Sequence, residues 1–129
     1  MDNPSIGQQR LLNAARFAVN ILFSQLETGG RIMSIVVLLD FRVKADAIED
    51  SKKFFKKILP ETRAYSGCQG LDVYINADDP TNFVFHERWQ SKEHYQKYFA
   101  WRTGNGSMEE FGSKLAAAPS VRYFNREDI

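Results

Sequence analysis

Apolar positions along the chain change their spacing several times, and each change marks an element. Between Asn3-Pro4 and Gly29-Gly30, Leu11, Ala15, Ala18, Leu22 and Leu26 recur at helical spacing, with Leu12, Val19 and Phe23 beside them. Asn3 as N-cap, Pro4 at the first helical position and the glycine pair as a stop predict a helix with a broad apolar face. Ile32 to Val43 follows as a strand, β-branched and apolar through Ile35-Val36-Val37-Leu38-Leu39. Asp46-Ala47-Ile48-Glu49 has the form of a capping box. The helix after it takes Ile48, Phe55, Ile58 and Leu59 as its buried stripe and Lys52, Lys53, Lys56 and Lys57 as its solvated side. Pro60 is expected to interrupt this helix, and Gly67 with Gly70 to turn the chain.

Leu71 to Asn76 then alternates, with Leu71, Val73 and Ile75 on one face. Asp78 to Asn82 reads as a turn cluster, and Phe83 to Trp89 as the returning strand of a hairpin. Ser91 is placed to cap a second helix reaching Arg102. Gly104-Asn105-Gly106 ends it, and Ser107-Met108-Glu109-Glu110 is a second capping box opening a short helix before Pro119. Ser120 to Asn125 is the last strand. The order strand, helix, strand, strand, helix, strand predicts an α+β fold, the ferredoxin-like βαββαβ unit with a four-stranded antiparallel sheet and helices on one face. Residues 1–30 form an appended amphipathic helix and 31–129 the domain.

A sheet with one wet face alternates apolar and polar residues. Here the first strand is apolar on both faces, and Phe83, Val84 and Phe85 are consecutive. Something covers the second face: the N-terminal helix, or a second copy of the sheet, which is the favoured reading.

Composition narrows the partners. Seventeen Lys and Arg against sixteen Asp and Glu leave a net charge of +1, so no basic field exists to collect nucleic acid or an anionic membrane. One cysteine excludes an internal disulfide framework, and with only two histidines it argues against a structural zinc site. The longest apolar run, Ile35 to Leu39, is five residues, far short of a membrane span. The expectation is a compact cytoplasmic domain whose function lies in a small site. There is no Gly-rich phosphate loop, flavin or nicotinamide fingerprint, Ser-His-Asp arrangement or carboxylate pair at metal spacing.

Three stretches on this topology carry a family resemblance: Thr62-Arg63-Ala64-Tyr65-Ser66-Gly67-Cys68-Gln69-Gly70, then Asp78-Asp79-Pro80, then Glu87-Arg88-Trp89-Gln90-Ser91. Over Met33 to Phe124 the chain resembles the antibiotic biosynthesis monooxygenase (ABM) superfamily. The resemblance implies a homodimer in which two sheets pack into an α/β barrel. It leaves function open among cofactor-free oxygenases of phenols, quinols and anthrones, haem-degrading enzymes, isomerases of small oxidised sugars and members with no assigned activity, so function has to be argued from the site.

Trp89 shares a strand face with Phe83, Phe85 and Glu87. In the family the tryptophan of the Glu-x-Trp motif commonly lines the substrate cavity; the alternative is an anchor between sheet and helices. Tyr95, Tyr98, Phe99 and Arg102 lie on one face of the following helix, and His94, Tyr98 and Trp101 form an overlapping stripe. Such stripes usually build a core, yet two phenols and a guanidinium each require a polar partner when buried. The resemblance matches Tyr95, six residues after Trp89, to a site tyrosine of cofactor-free members. It departs at Tyr98 and Arg102, where the family often carries histidines. Ser34 and Phe99 stand where the haem-degrading branch uses asparagine and histidine, which disfavours that branch. His86 lies on the opposite strand face and is a reserve base or a structural or interface residue. Cys68 reads as a packed thiol. Arg63 would hold an anionic substrate or pair with a helix end.

The expected function is therefore a cofactor-independent monooxygenase of a small phenolic, quinol or polycyclic aromatic substrate. Its catalytic candidates are Tyr95, Trp89 and His86, and its substrate-binding candidates Phe85, Tyr98 and Arg102. A non-catalytic dimeric ligand-binding or regulatory module, or an isomerase of a small oxidised metabolite, is the alternative.

Overall fold

The computed structural model describes residues 34–129; the N-terminal helix expected over 1–30 lies outside the described residues. The elements are β1 (Ile35–Arg42), α1 (Ile48–Ala64), β2 (Cys68–Asn76), β3 (Asp79–Trp89), α2 (Lys92–Gly104), α3 (Ser107–Ser113) and β4 (Ser120–Asn125). The four strands form one antiparallel sheet in the order β2-β3-β1-β4, as the ferredoxin-like reading requires. Register places Phe41 opposite Phe83, Leu39 opposite Phe85, Val37 opposite Glu87 and Ile35 opposite Trp89. On its other edge β1 sets Val37 opposite Tyr123. Glu87 and Tyr123 thus flank Val37 on the same, helix-facing side of the sheet.

The helix-facing side is the core. Ile35, Val37, Leu39 and Phe41 of β1, Phe83, Phe85 and Trp89 of β3, and Val121 of β4 are buried against Phe54, Phe55 and Leu59 of α1, Tyr95, Tyr98 and Phe99 of α2 and Phe111 of α3. The other face carries Val36, Leu38 and Val84, partly buried, beside exposed Tyr74 and Phe124 and the polar Asp40, Asp72, His86, Arg88 and Arg122. It mixes apolar and charged groups, with the apolar ones concentrated on β1 and at Val84 of β3.

Several local expectations are corrected. Helix α1 runs through Pro60 to Ala64. Pro60 and Lys56 are both exposed, so the proline ring and the residue whose carbonyl it leaves without a donor lie on the solvated side of the helix. Neither capping box forms. The N-cap of α1 is Ala47, with no side-chain cap. In α3 the N-cap is Gly106, with no side-chain cap; Ser107 is already helical, and its amide donates to Asn105 Oδ1 at 2.9 Å. The hairpin turn is only Ala77-Asp78, because β3 starts at Asp79. Pro80 fits there because β1 ends opposite Asn82, so the proline has no partner on that side.

Candidate functional site

Alternation in β3 turns Phe83, Phe85, Glu87 and Trp89 toward the helices, so an acid stands in an otherwise apolar row. Glu87 is 2% exposed and Trp89 fully buried. The Trp89 indole Nε1 donates to Glu87 Oε1 at 3.0 Å. Burial pushes the Glu87 carboxyl up to about 7, against the indole hydrogen bond, which lowers it. Near neutral pH this group can both give and take a proton.

Helix α2 supplies the facing side chains. Ser91 caps it, accepting from the His94 amide at 3.1 Å and bonding His94 Nδ1 at 2.7 Å. The cap is locked by Gly67, at φ +92°, because the His94 ring occupies the place where a Cβ would stand. From that start Tyr95, Tyr98 and Arg102 point inward, and all three are buried. Tyr95 packs edge-on to Trp89 with centroids 5.6 Å apart, and Tyr98 lies 5.1 Å from Trp89. Tyr65, at the end of α1, closes the cluster against Trp89, Tyr98 and Trp101.

The polar tips are tied across elements. The Tyr98 hydroxyl and Thr62 Oγ1 are 2.7 Å apart. Arg102 Nε donates to the Tyr98 hydroxyl at 3.0 Å, and its Nη2 donates to the Ile58 carbonyl at 2.8 Å and to Thr62 Oγ1 at 3.0 Å. Arg102 Nη1 donates to Ser107 Oγ at 3.3 Å and lies 3.7 Å from Glu61 Oε1. Four of the five guanidinium N–H groups thus have hydrogen-bond acceptors, and Glu61 adds an ion pair at longer range. The guanidinium clamps α1, α2 and α3 together.

Burial raises the Tyr95 phenol well above the ordinary range, and Glu87, Tyr123 and Tyr98 push it further. Tyr98 is raised by burial despite the opposing Thr62 and Arg102 bonds, and Tyr123 by burial and then by Glu87. The three phenols therefore stay neutral at ordinary pH, and of them Tyr98 is hydrogen-bonded through its hydroxyl. The Tyr123 hydroxyl is buried with no hydrogen-bond partner among the described residues. Beside Phe85, Glu87, Tyr95, Tyr98, Arg102 and Met108 lies a cavity of about 30 Å³. A water needs on the order of 10–15 Å³ by this kind of measure, so the cavity has room for a water and is smaller than an aromatic ring.

Five of the six predicted site residues come together: Phe85, Tyr95, Tyr98 and Arg102 around the cavity, and Trp89 directly behind Glu87. His86 does not join them. It stands on the other face of the sheet, in register with Leu38 and Asp72. Arg63 donates to the Leu71 carbonyl at 3.2 Å through both Nε and Nη2. Burial raises the Cys68 thiol, as for a packed cysteine. The residue the sequence reading named but did not rank is Glu87. Its signal was available, an acid in the row of Phe83, Phe85 and Trp89. Thr62 gave no comparable signal, because its role depends on partners 36 and 40 positions away. Among the described residues, no group of three or more His, Cys, Asp or Glu is placed to hold a metal ion, and no helix is long and apolar enough to cross a membrane.

A four-stranded sheet with its acid and tryptophan facing an aromatic helix defines a class of α+β protein, and comparison with known proteins places the chain within it. Residues 34–111 match the sequence model of the Antibiotic biosynthesis monooxygenase family, and the chain belongs to that family. No curated protein sequence matches it. Among solved structures it is similar to a conserved protein of Methanosarcina mazei Go1, with 16% identity and a TM-score of 0.68 over 74% of this chain and 95% of that one. A second similar structure is an antibiotic biosynthesis monooxygenase, with 18% identity and a TM-score of 0.67 over 73% and 99%. A third is a protein of Mycobacterium tuberculosis, with 22% identity and a TM-score of 0.66 over 74% and 97%. At these identities the likeness is one of fold.

Proposed function

We propose that the protein is a cofactor-independent monooxygenase of a small phenolic or quinol substrate, working at the Glu87 end of the inner sheet face. The family and the monooxygenase name of one structural neighbour support the reaction type. The observation that carries the site is the buried Glu87 carboxyl, held by Trp89 and surrounded by neutral phenols. A phenol or quinol gives electrons to oxygen readily only after it loses a proton. Glu87, titrating near neutrality, accepts that proton, and Tyr95 and Tyr98 relay it as donors that do not themselves ionise. Trp89 and Phe85 form the wall that keeps water from the anion. One oxygen atom enters the substrate and the other leaves as water, with both electron pairs drawn from the substrate. Arg102 keeps Tyr98 in place and adds positive charge near the developing anion. Substrate entry displaces the flexible Met108 side chain, because the closed cavity is too small for a ring. A homodimer packed through the second sheet face, with His86 at the interface, completes the proposal.

The 30 Å³ cavity and the four structural hydrogen bonds of Arg102 favour a second reading, a non-catalytic dimeric module of the same fold. Oxygen uptake separates the two. Purified protein is assayed at an oxygen electrode against reduced quinols, anthrones and catechols, beside folded Glu87→Gln, Tyr95→Phe and Trp89→Phe variants. The oxygenase reading expects uptake that falls by about 100-fold or more in Glu87→Gln, the scale of a lost general base. No uptake on any substrate from folded protein gives the second reading.

A further inference from the structure

Helix α1 does not cover the edge strand β2 along its whole length. Val73 and Ile75 stand on the helix-facing side with Leu71, yet they are 37% and 41% exposed while Leu71 is buried. Above them α1 presents Lys52, Phe55, Lys56, Leu59 and Arg63, which with Phe83 enclose a groove of about 220 Å³. Lys52, Lys56 and Arg63 follow one another at four and seven residues, and so lie along one side of the helix. Among the described residues the groove lining contains these three cations and no acid.

The parts are held in place. Arg63 is fixed by the Leu71 carbonyl, at the end of the groove nearest the Glu87 site. Lys52 pairs with Glu49 at 3.3 Å in a solvated ion pair worth little, which leaves it available to another anion. The lysine stems extend the apolar floor while their ammonium groups stand at the rim. Phe55 and Leu59 also line the inner cavity, so the α1 wall of the groove backs onto the site described above.

We propose that this groove binds a small amphipathic anion. Its ring or short acyl chain lies on Val73, Ile75 and Phe83, and its carboxylate or sulfonate is held by Lys56 and Arg63. Charge complementarity selects an anion, because three cations border an apolar surface with no carboxylate to neutralise them within the groove. Size admits a body of one to a few rings, since a closed cavity of roughly 150 Å³ suffices for benzene and this groove of about 220 Å³ is open to solvent. The site stands on its own geometry and does not depend on any reaction at Glu87.

The test uses the full chain and two probes with the same ring system. 1-Anilinonaphthalene-8-sulfonate carries the charge, and N-phenyl-1-naphthylamine lacks it. Calorimetric and fluorescence titrations are expected to show one sulfonate probe per chain, bound about tenfold or more tighter than the neutral probe. The exposed substitution Lys56→Glu weakens the sulfonate about tenfold and leaves the neutral probe unchanged, whereas Ile75→Ser weakens both. A cooperative melt of each variant shows that the probe reads a folded protein. Equal affinity for the two probes overturns the proposal, as does indifference to Lys56→Glu. Absence of saturable binding also overturns it, and assigns the groove to residues 1–33 or to a second copy.

Discussion

The helix-facing side of the sheet carries two aromatic clusters that pack alike and differ in chemistry. Toward the hairpin, Phe41, Phe55, Phe83, Phe85 and Phe111 meet with centroids 4.9 to 6.0 Å apart, and none brings a polar atom. Toward the other end, Trp89, Tyr95, Tyr98, Tyr65 and Tyr123 meet at 5.1 to 6.4 Å, and every ring brings one. The phenylalanine end gains its stability from apolar burial and ring contacts alone. At the other end each hydroxyl, the indole N–H, the Glu87 carboxyl and the Arg102 guanidinium require a partner, and an unmet requirement costs roughly 1–3 kcal/mol. A fold seeking only stability has a simpler solution, already used at the hairpin end. The polar end is therefore where function is to be sought, and Glu87 is its centre.

The contrast can be broken at either end. Phe41 touches Phe55, Phe83, Phe85 and Phe111, so Phe41→Ala is expected to have the largest effect, a loss of about 4 kcal/mol in urea unfolding that does not vary with pH. At the polar end the effect depends on pH. The Glu87 carboxyl has its ordinary value of 4.5 when unfolded and about 7 when folded. Below the first value it is neutral in both states, and between the two the unfolded chain releases its proton first. The unfolding free energy therefore falls as pH rises through this window, by on the order of 3 kcal/mol, and levels off above it. Glu87→Gln removes this slope. Tyr98→Phe is the mildest change, because it deletes one hydroxyl. It takes a partner from both Thr62 and Arg102, and a loss of about 2 kcal/mol is expected by the same unfolding assay.

Much of this was legible in the chain. Strand alternation and turn residues predicted the element order, and the last strand lies at Ser120–Asn125 as read. Periodicity also put Tyr95, Tyr98 and Arg102 on one helix face, and the buried cluster has them together. Periodicity is a local property, and what it missed is not local. Whether Pro60 ends a helix depends on which carbonyl it frees and on water reaching it. Whether Asp46 or Ser107 caps depends on the residue at which the helix backbone begins, which is one position later than the first motif requires and one earlier than the second. Arg102 reads as a free cation until Ile58 and Thr62, more than thirty-five positions away, accept its N–H groups. Glu87 showed in the pattern as a lone acid in an apolar row, but its burial and its proton affinity arise only when α2 folds over it.

The most direct test is to titrate Glu87 itself. In protein labelled with 13C at the glutamate side-chain carboxyl, the Glu87 resonance, assigned by its loss in Glu87→Gln, is followed from pH 3 to pH 9. The account predicts a midpoint of about 7, moving higher in Trp89→Phe, where the stabilising indole hydrogen bond is gone. A midpoint at the ordinary glutamate value in the folded wild-type protein would contradict it, and would leave the polar end with no group able to exchange a proton near neutrality.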